Sequence, residues 1–278
     1  PGGQAVNVAE QLHALGGDVT CYGHLDAPLF ERLPFETVSM GEPATVYAFN
    51  FAEGDVMFVD RSGEADWTVA DLRAVADLPD VFGADAVCCS NWVSFPGLAE
   101  LFHLLGDVDL PRVPFVVDPG DVVGSDPENL ATLRRALAAL QDTFDVVYNG
   151  NRQEIRATAA TLPDPPADDV DRLAAVREAT GVAAVVLHAP AEAAVATADG
   201  RRRVENLRVG QPVRHTGGGD HFTGGLASAL AREWDWDLAL ACGNACASYY
   251  VATGDAATVG DLTAVADGDL PTDVDRTT

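Results

Sequence analysis

Thr216-Gly217-Gly218-Gly219-Asp220-His221-Phe222-Thr223-Gly224-Gly225-Leu226-Ala227-Ser228-Ala229-Leu230 is the stretch on which the reading of this chain turns. Three consecutive glycines end in a carboxylate, and a helix of small residues starts at once. Glycine admits the dihedrals of a tight turn and lets backbone N–H groups approach a ligand with no Cβ in the way. The first turn of the helix adds unpaired N–H donors and the positive end of its dipole. Gly217, Gly218 and Gly219 therefore form an anion cradle suited to a phosphate. Asp220 at its mouth would repel an anion that was merely bound. As the acceptor of a proton from a nucleophile attacking that anion it makes sense, which is the logic of phosphoryl transfer. The alternative is a glycine turn with Asp220 as an ordinary N-cap. A dinucleotide fingerprint is excluded, because Phe222 stands where its third glycine belongs when counted from Gly217. A Walker A loop is excluded as well, because the chain contains no lysine.

The missing lysine is part of a wider bias. All 17 basic residues are arginine, against 43 acids, for a formal net charge of −26. Nucleic acid and anionic membrane surfaces are thereby poor partners. The acids are scattered singly and in pairs, which fits a surface adapted to a salty, halophilic-type cytoplasm, where self-repulsion is screened. The 278 residues suit one large α/β domain spanning 1–278, with no visible linker. No apolar run approaches a membrane span and no signal peptide is visible, so a cytoplasmic location is expected. Cys21, Cys88, Cys89, Cys242 and Cys246 lack disulfide-framework or zinc-ribbon spacing. Cys242 and Cys246 share a helix face, either as buried small residues or as two metal ligands.

The order of elements gives the fold class. The chain opens at Pro1-Gly2-Gly3-Gln4-Ala5-Val6-Asn7, and Val8, Leu12 and Leu15, with Ala5 and Ala9, mark the inner face of a helix ending at Gly16-Gly17. A strand usually precedes such a turn in α/β domains, so a strand ahead of Pro1 is expected to be missing from this chain. A strand follows at 19–22, then a hairpin over 44–60 around Ala52-Glu53-Gly54-Asp55, then a short helix at 69–76. From Ala86 onward, apolar strands (86–90, 115–117, 146–148, 183–187) alternate with helices (from Pro96, 128–140, from Arg152, 170–179). A polar β excursion is expected at 193–209. After the glycine turn, helices are expected at 238–252 and 259–265. Buried strands separated by helices mean a mainly parallel sheet covered on both faces. Ligands gather at the carboxyl ends of such strands, where Asp118, Asn149, Asn151 and the glycine turn lie.

Three separated pieces now resemble one family, the ribokinase/PfkB carbohydrate kinases, over Gly2 to about Val259. Gly2-Gly3 with Asn7 is similar to the family's N-terminal glycine motif, whose Asn contacts sugar hydroxyls. Asn151-Arg152-Gln153-Glu154 matches its Asn-x-x-Glu motif, which organises magnesium and phosphates. Gly217-Gly218-Gly219-Asp220 matches its anion hole and catalytic base. The resemblance implies a three-layer αβα sandwich with a small β lid, for which 44–60 is the segment. It also implies Asp220 as base, and Asn151 and Glu154 as magnesium-organising residues. Read by itself, the Asn151 and Glu154 pair is equally a helix cap with a first-turn acid. Asn244 corresponds to a position beside the adenine, and Gly254 opens a loop edging the nucleotide and a monovalent cation. The family's Asp-Thr ahead of the glycines is Arg214-His215 here, and Arg214 is the substitute for the charge of that cation. Its Thr-x-Gly phosphate turn reads Leu187-His188-Ala189-Pro190. A histidine at that place resembles the ADP-dependent sugar kinases of the same fold, so ATP and ADP both stand as donors. His188 is either a nucleotide contact or a packed core residue.

The implied activity is magnesium-dependent phosphorylation of a hydroxyl on a sugar or related small molecule by a nucleotide, with a nucleoside or hydroxylated vitamin as the nearest alternative acceptor and a homodimer admitted. A ribokinase-fold binding protein that has lost catalysis is the rival from another class. A hydrolase using Asp118 or Asp121 lacks the Asp-x-Asp spacing of a phosphatase nucleophile and its partner.

Overall fold

In the centre of the molecule successive side chains of the strands are buried on opposite sides. The structure, a computed structural model, describes residues 2–51, 54–60, 66–210, 212–267 and 274–275. Helix α1 (Gln4–Ala14) leads to strands β1 (Thr20–Gly23) and β2 (Glu36–Ser39), which pair in parallel. The hairpin β3 (Thr45–Phe51) and β4 (Gly54–Asp60) follows, then helices α2 (Val69–Val75) and α3 (Leu78–Phe82). Next come β5 (Val87–Ser90), α4 (Leu98–Leu105), β6 (Pro114–Asp118), α5 (Pro127–Leu140), β7 (Asp145–Asn151), α6 (Arg152–Ala159), α7 (Asp169–Thr180) and β8 (Ala184–Ala189). The excursion consists of β9 (Glu192–Thr197), β10 (Gly200–Glu205) and a two-residue strand at Arg208–Val209. Helices α8 (Gly218–Leu230), α9 (Trp236–Thr253) and α10 (Val259–Asp267) complete the fold.

Six strands form the central sheet in the order β10-β9-β8-β7-β6-β5, parallel from β5 to β8 and antiparallel from β8 to β10. Phe115, Val117, Val146, Tyr148, Val185 and Leu187 face one helical layer, which includes α4 to α7. Val116, Val147, Val186 and Val195 face the other, where Phe222 and Leu226 of α8 and Ala239 and Leu240 of α9 cover them. Burial on both faces is why these strands read as unbroken apolar runs. Phe82, Phe102 and Phe144 crowd around Phe115 with ring centroids 5.0–6.1 Å away. Truncating such a ring costs about 3–5 kcal/mol.

Four expectations need correction or completion. Strand β2 and helix α3 are too short and too irregular in pattern to be foreseen. The inner face of α1 includes the expected Val8, Ala9 and Leu15, with Leu12 partly buried against the core, and also Val6 and the fully buried Gln11. The excursion is polar only in β10; β9 is core, with Ala193 to Ala196 at 0–1% exposure. The hairpin over 44–60 is present, although Ala52 and Glu53 of its turn lie outside the described residues, as does Pro1. Its Val46, Tyr47, Phe49, Phe58 and Val59 are 45–61% exposed. No helix among the described residues is long and apolar enough to cross a membrane.

Candidate active site

The carboxyl ends of the parallel strands and the first turns of α1, α6 and α8 converge on one polar region. Gly217, with φ 101°, is the N-cap of α8, a left-handed position that favours glycine. Asp220 lies inside the first turn and so is not the N-cap. Its Oδ2 accepts a 2.7 Å hydrogen bond from Asn7 Nδ2 of α1. The amides of Gly219 and Asp220 precede the first intrahelical bond of α8, from His221 N–H to the Gly217 carbonyl. They are the first-turn donors that a helix cannot satisfy from within. Gly2 and Gly3 lead into α1 at the same end, and a Cβ on either would meet nothing within 4 Å.

His188, near the end of β8, stacks on Phe222 with centroids 5.2 Å apart, and its Nδ1 lies 3.1 Å from Asn149 Oδ1. A Cβ on Gly219 would sit 2.8 Å from His188 Nε2, so the imidazole is tucked directly under the glycine turn. Burial pushes its pKa down to about 4, leaving a neutral ring. Asn149 Nδ2 donates to Thr223 Oγ1 at 2.8 Å, and that hydroxyl donates to the Gly219 carbonyl at 3.0 Å. The turn is thereby tied to β7 and β8.

Three buried carboxylates face this region, and among the described residues no arginine is paired with them. Asp118, at the end of β6, accepts from Gln4 Nε2 (3.3 Å) and the Gly120 amide (3.1 Å). Burial raises its pKa to about 6, against the pull of those bonds. Burial likewise raises Asp220 to about 7, with the Asn7 bond lowering it and Asp118 raising it. Glu154 stands highest, at about 8, through burial and then the negative charge of Asp118, Asp121 and Asp220. Asn151 and Glu154 make a reciprocal capping box on α6. Asn151 Oδ1 accepts from the amides of Gln153 and Glu154, and Glu154 Oε2 accepts from the Asn151 amide at 2.7 Å. The helix-cap reading of this pair is therefore realised, and Glu154 Oε1 is the oxygen left over.

The remaining expected residues lie further out. Arg214 is exposed, with its guanidinium carbon 5.8 Å from the ring centroid of Tyr250. Asn244, 3% exposed, donates to the carbonyls of Val204 and Glu205, which binds α9 to β10. Gly254 is the left-handed C-cap of α9. Gln4, Gln11 and Thr223 are the polar residues that sequence reasoning missed. The signal for the first two was present: Gln4, Asn7 and Gln11 recur at helical spacing down one face of α1.

Magnesium prefers hard oxygen ligands and leaves several positions to water or substrate phosphates. Carboxylates that raise one another's pKa are a donor set of that kind. Among the described residues no group of three or more acidic, histidine or cysteine side chains could hold a metal by itself. The set suits an ion shared with phosphates, and Cys242 and Cys246, both free cysteines, belong to no group of three or more such side chains among the described residues.

The family model for prokaryotic ketohexokinase matches residues 1–269. The chain is 31% identical over 291 residues to a ketohexokinase from Haloferax volcanii, covering 97% of this chain and 76% of that one. Among solved structures it resembles ribokinase from Thermotoga maritima (TM-score 0.70, 17% identity, 92% and 82% of the two chains). It equally resembles fructokinase from Vibrio cholerae with bound fructose, ADP and calcium (TM-score 0.70, 20% identity, 95% and 90%).

Proposed function

Since the chain belongs to the prokaryotic ketohexokinase family and is a carbohydrate kinase of the ribokinase/PfkB type, we propose that it phosphorylates a hydroxyl of a ketohexose, with Asp220 as the base. The observation that carries this reading is the placement of Asp220. Its carboxylate is buried beside the first-turn amides of α8 and is oriented by Asn7 rather than spent on a cap. A pKa near 7 matches a base working at neutral pH. The sugar hydroxyl oxygen attacks the terminal phosphorus of the nucleotide, and its proton passes to Asp220. The bond to the leaving nucleoside phosphate breaks as the new P–O bond forms. The amides of Gly219 and Asp220 stabilise charge on the moving phosphoryl group, the Gly218 amide being bonded to the His215 carbonyl. Gly2, Gly3 and Asn7 receive the sugar.

Glu154 and Asp118 would hold the magnesium, with Asn151 fixing Glu154 through the capping box. Bound there, the ion would neutralise phosphate charge. The capping bonds on Asn151 Oδ1 favour this indirect role over direct ligation. His188, under the glycine turn, faces the phosphates, and Asn244 and Gly254 border the nucleotide. Arg214 stands in for a monovalent cation. The chain acts as one domain, 1–278, in the cytoplasm, with 44–60 as a lid whose exposed apolar side chains support closure over sugar or a homodimer. The rival readings, a nucleoside kinase and an impaired binding protein, are not favoured.

A phosphate-transfer screen in high potassium chloride tests the proposal. ATP and ADP are offered as donors against ketohexoses, aldoses and nucleosides, with and without magnesium. Transfer confined to nucleosides, or none to any sugar, would sink it.

A further inference from the structure

Helix α1 carries a third polar residue, one turn beyond Asn7, that the proposed chemistry does not use. Gln11 is fully buried. Its side-chain amide lies flat against the backbone of Ala257: Nε2 donates to the Ala257 carbonyl at 2.8 Å, and Oε1 accepts from the Ala257 amide at 3.1 Å. This double bond pattern fixes which way the amide faces. Oε1 is therefore the atom 3.1 Å from His221 Nδ1, and Nδ1 must carry the proton. His221 is also fully buried, and its ring lies on Tyr250 with centroids 3.8 Å apart. Its Nε2 has no hydrogen-bond partner among the described residues.

Three elements meet at this one side chain: α1, the first turns of α8, and the loop between α9 and α10. The helices approach closely here, because a Cβ on Gly224 would lie 2.7 Å from Gln11 Cβ and 3.0 Å from the Val8 carbonyl. Asn7 and Gln11 are four apart on α1, and Asp220, His221 and Gly224 share a face of α8, so both pairs lie on facing ridges. A slide or rotation of α1 that parted Gln11 from His221 would also part Asn7 from Asp220. We infer that Gln11 is a positioning residue for phosphoryl transfer: by gripping Ala257 and His221 it holds α1 in the register that sets Asn7 against Asp220. The inference rests on the reading of Asp220 as the base. An apolar side chain of the same size would fill the space but leave three buried polar groups without their partner and the register unspecified.

The test is a double-mutant cycle in kcat, at saturating sugar, between Gln11→Met and Asn7→Ala. Gln11→Met is expected to lower kcat by about 10–100-fold, the scale of an ångström of misplacement, with nucleotide KM within about twofold of the parent. The double variant should be no slower than Asn7→Ala alone. Losses that multiply independently would overturn the inference. Should Gln11→Met not fold, the His221 pair decides. His221→Asn keeps a donor where Nδ1 stood and should retain most of kcat, whereas His221→Leu should lose about 10–100-fold. Both lose the ring stack, so a difference in kcat comes from the donor, and equal losses overturn the role of Gln11. Asp220→Asn, assayed alongside, separates the two readings. Full turnover there removes the base, while an inactive Asp220→Asn with a failed cycle removes only the clamp.

Discussion

Helix α6 divides two clusters of carboxylates that differ in every respect but chemistry. On one side Asp169 is paired with Arg152, Arg156 and Arg172, and Glu192 with Arg152 and Arg203. Burial alone would raise the pKa of Asp169, but hydrogen bonds from the arginines take it down to about 2. On the other side Glu154, on the same helix between Arg152 and Arg156, faces Asp118, Asp121 and Asp220, and its pKa rises to about 8. The first cluster supplies its own cations and joins α6, α7, β9 and β10. The second is short of positive charge, so its acids hold protons or await a cation from outside. In a chain with 43 acids and 17 arginines, where the arginines are placed separates structural acids from working ones.

The sharpest way to break this contrast is Asp220→Asn. The amide keeps the size and the reach toward Asn7 but cannot take a proton, so turnover should fall by about 10²–10⁴-fold. Nucleotide affinity and melting temperature should hold. In the parent, turnover should decline as pH falls below about 7, because the base must be ionised. Full activity in the variant, or a flat profile through that range, would end the assignment.

Glu154→Gln comes next. Magnesium-dependent nucleotide affinity should drop by at least the roughly 10–100-fold that even outer-shell partners of a metal are worth. The pKa also makes a stability statement. A carboxyl raised from 4.5 to about 8 binds its proton more tightly in the folded state. Its contribution is therefore fully present below pH 4.5 and is lost as pH climbs toward 8. The metal-free parent should melt lower at pH 8 than at pH 5, magnesium should narrow that gap, and Glu154→Gln should shrink it to the part left by Asp118 and Asp220. Identical pH and metal dependence in parent and variant would place Glu154 with the structural acids.

The arginine-rich side sharpens the comparison from the other direction. Asp169→Asn should cost less than the roughly 1.5–3 kcal/mol of hydrogen bonds to charged groups, because Arg152 and Arg156 are partly solvent-exposed. Turnover at a temperature where the variant is folded should match the parent. A kcat loss without a stability loss would move Asp169 into the site. The smallest effect is expected from salt acting on both clusters and on the surface. With a formal charge of −26, melting should rise by several degrees from dilute to molar potassium chloride, as the screening length shrinks to about 3 Å. This expectation agrees with the likeness to the Haloferax volcanii protein. A constant or falling midpoint would contradict halophilic-type adaptation.

By itself the sequence determined what depends on local chemistry and periodicity. Apolar runs such as Phe115-Val116-Val117 and Val146-Val147-Tyr148 could only be strands buried on both faces, so the layered α/β fold was legible. Gly217 to Gly219 announced a turn, though Gly217 alone takes a left-handed φ and the other two open α8, and the order of the three motifs indicated a sugar kinase. Tertiary structure decided what depends on approach between distant segments. Asp220 could be told from an N-cap only once Gly217 was seen to cap α8, and its carboxylate was then free to meet Asn7, 213 positions away. Nothing in the local sequence called for a buried Gln11; its partner is Ala257, 246 positions on. Gly219 and Gly224 were readable as small but not as the sites where His188 and Gln11 press closest. A pattern along the chain shows which face of an element is buried. The partner that satisfies a buried polar group, and hence its charge at a given pH, is set by whichever segment packs opposite.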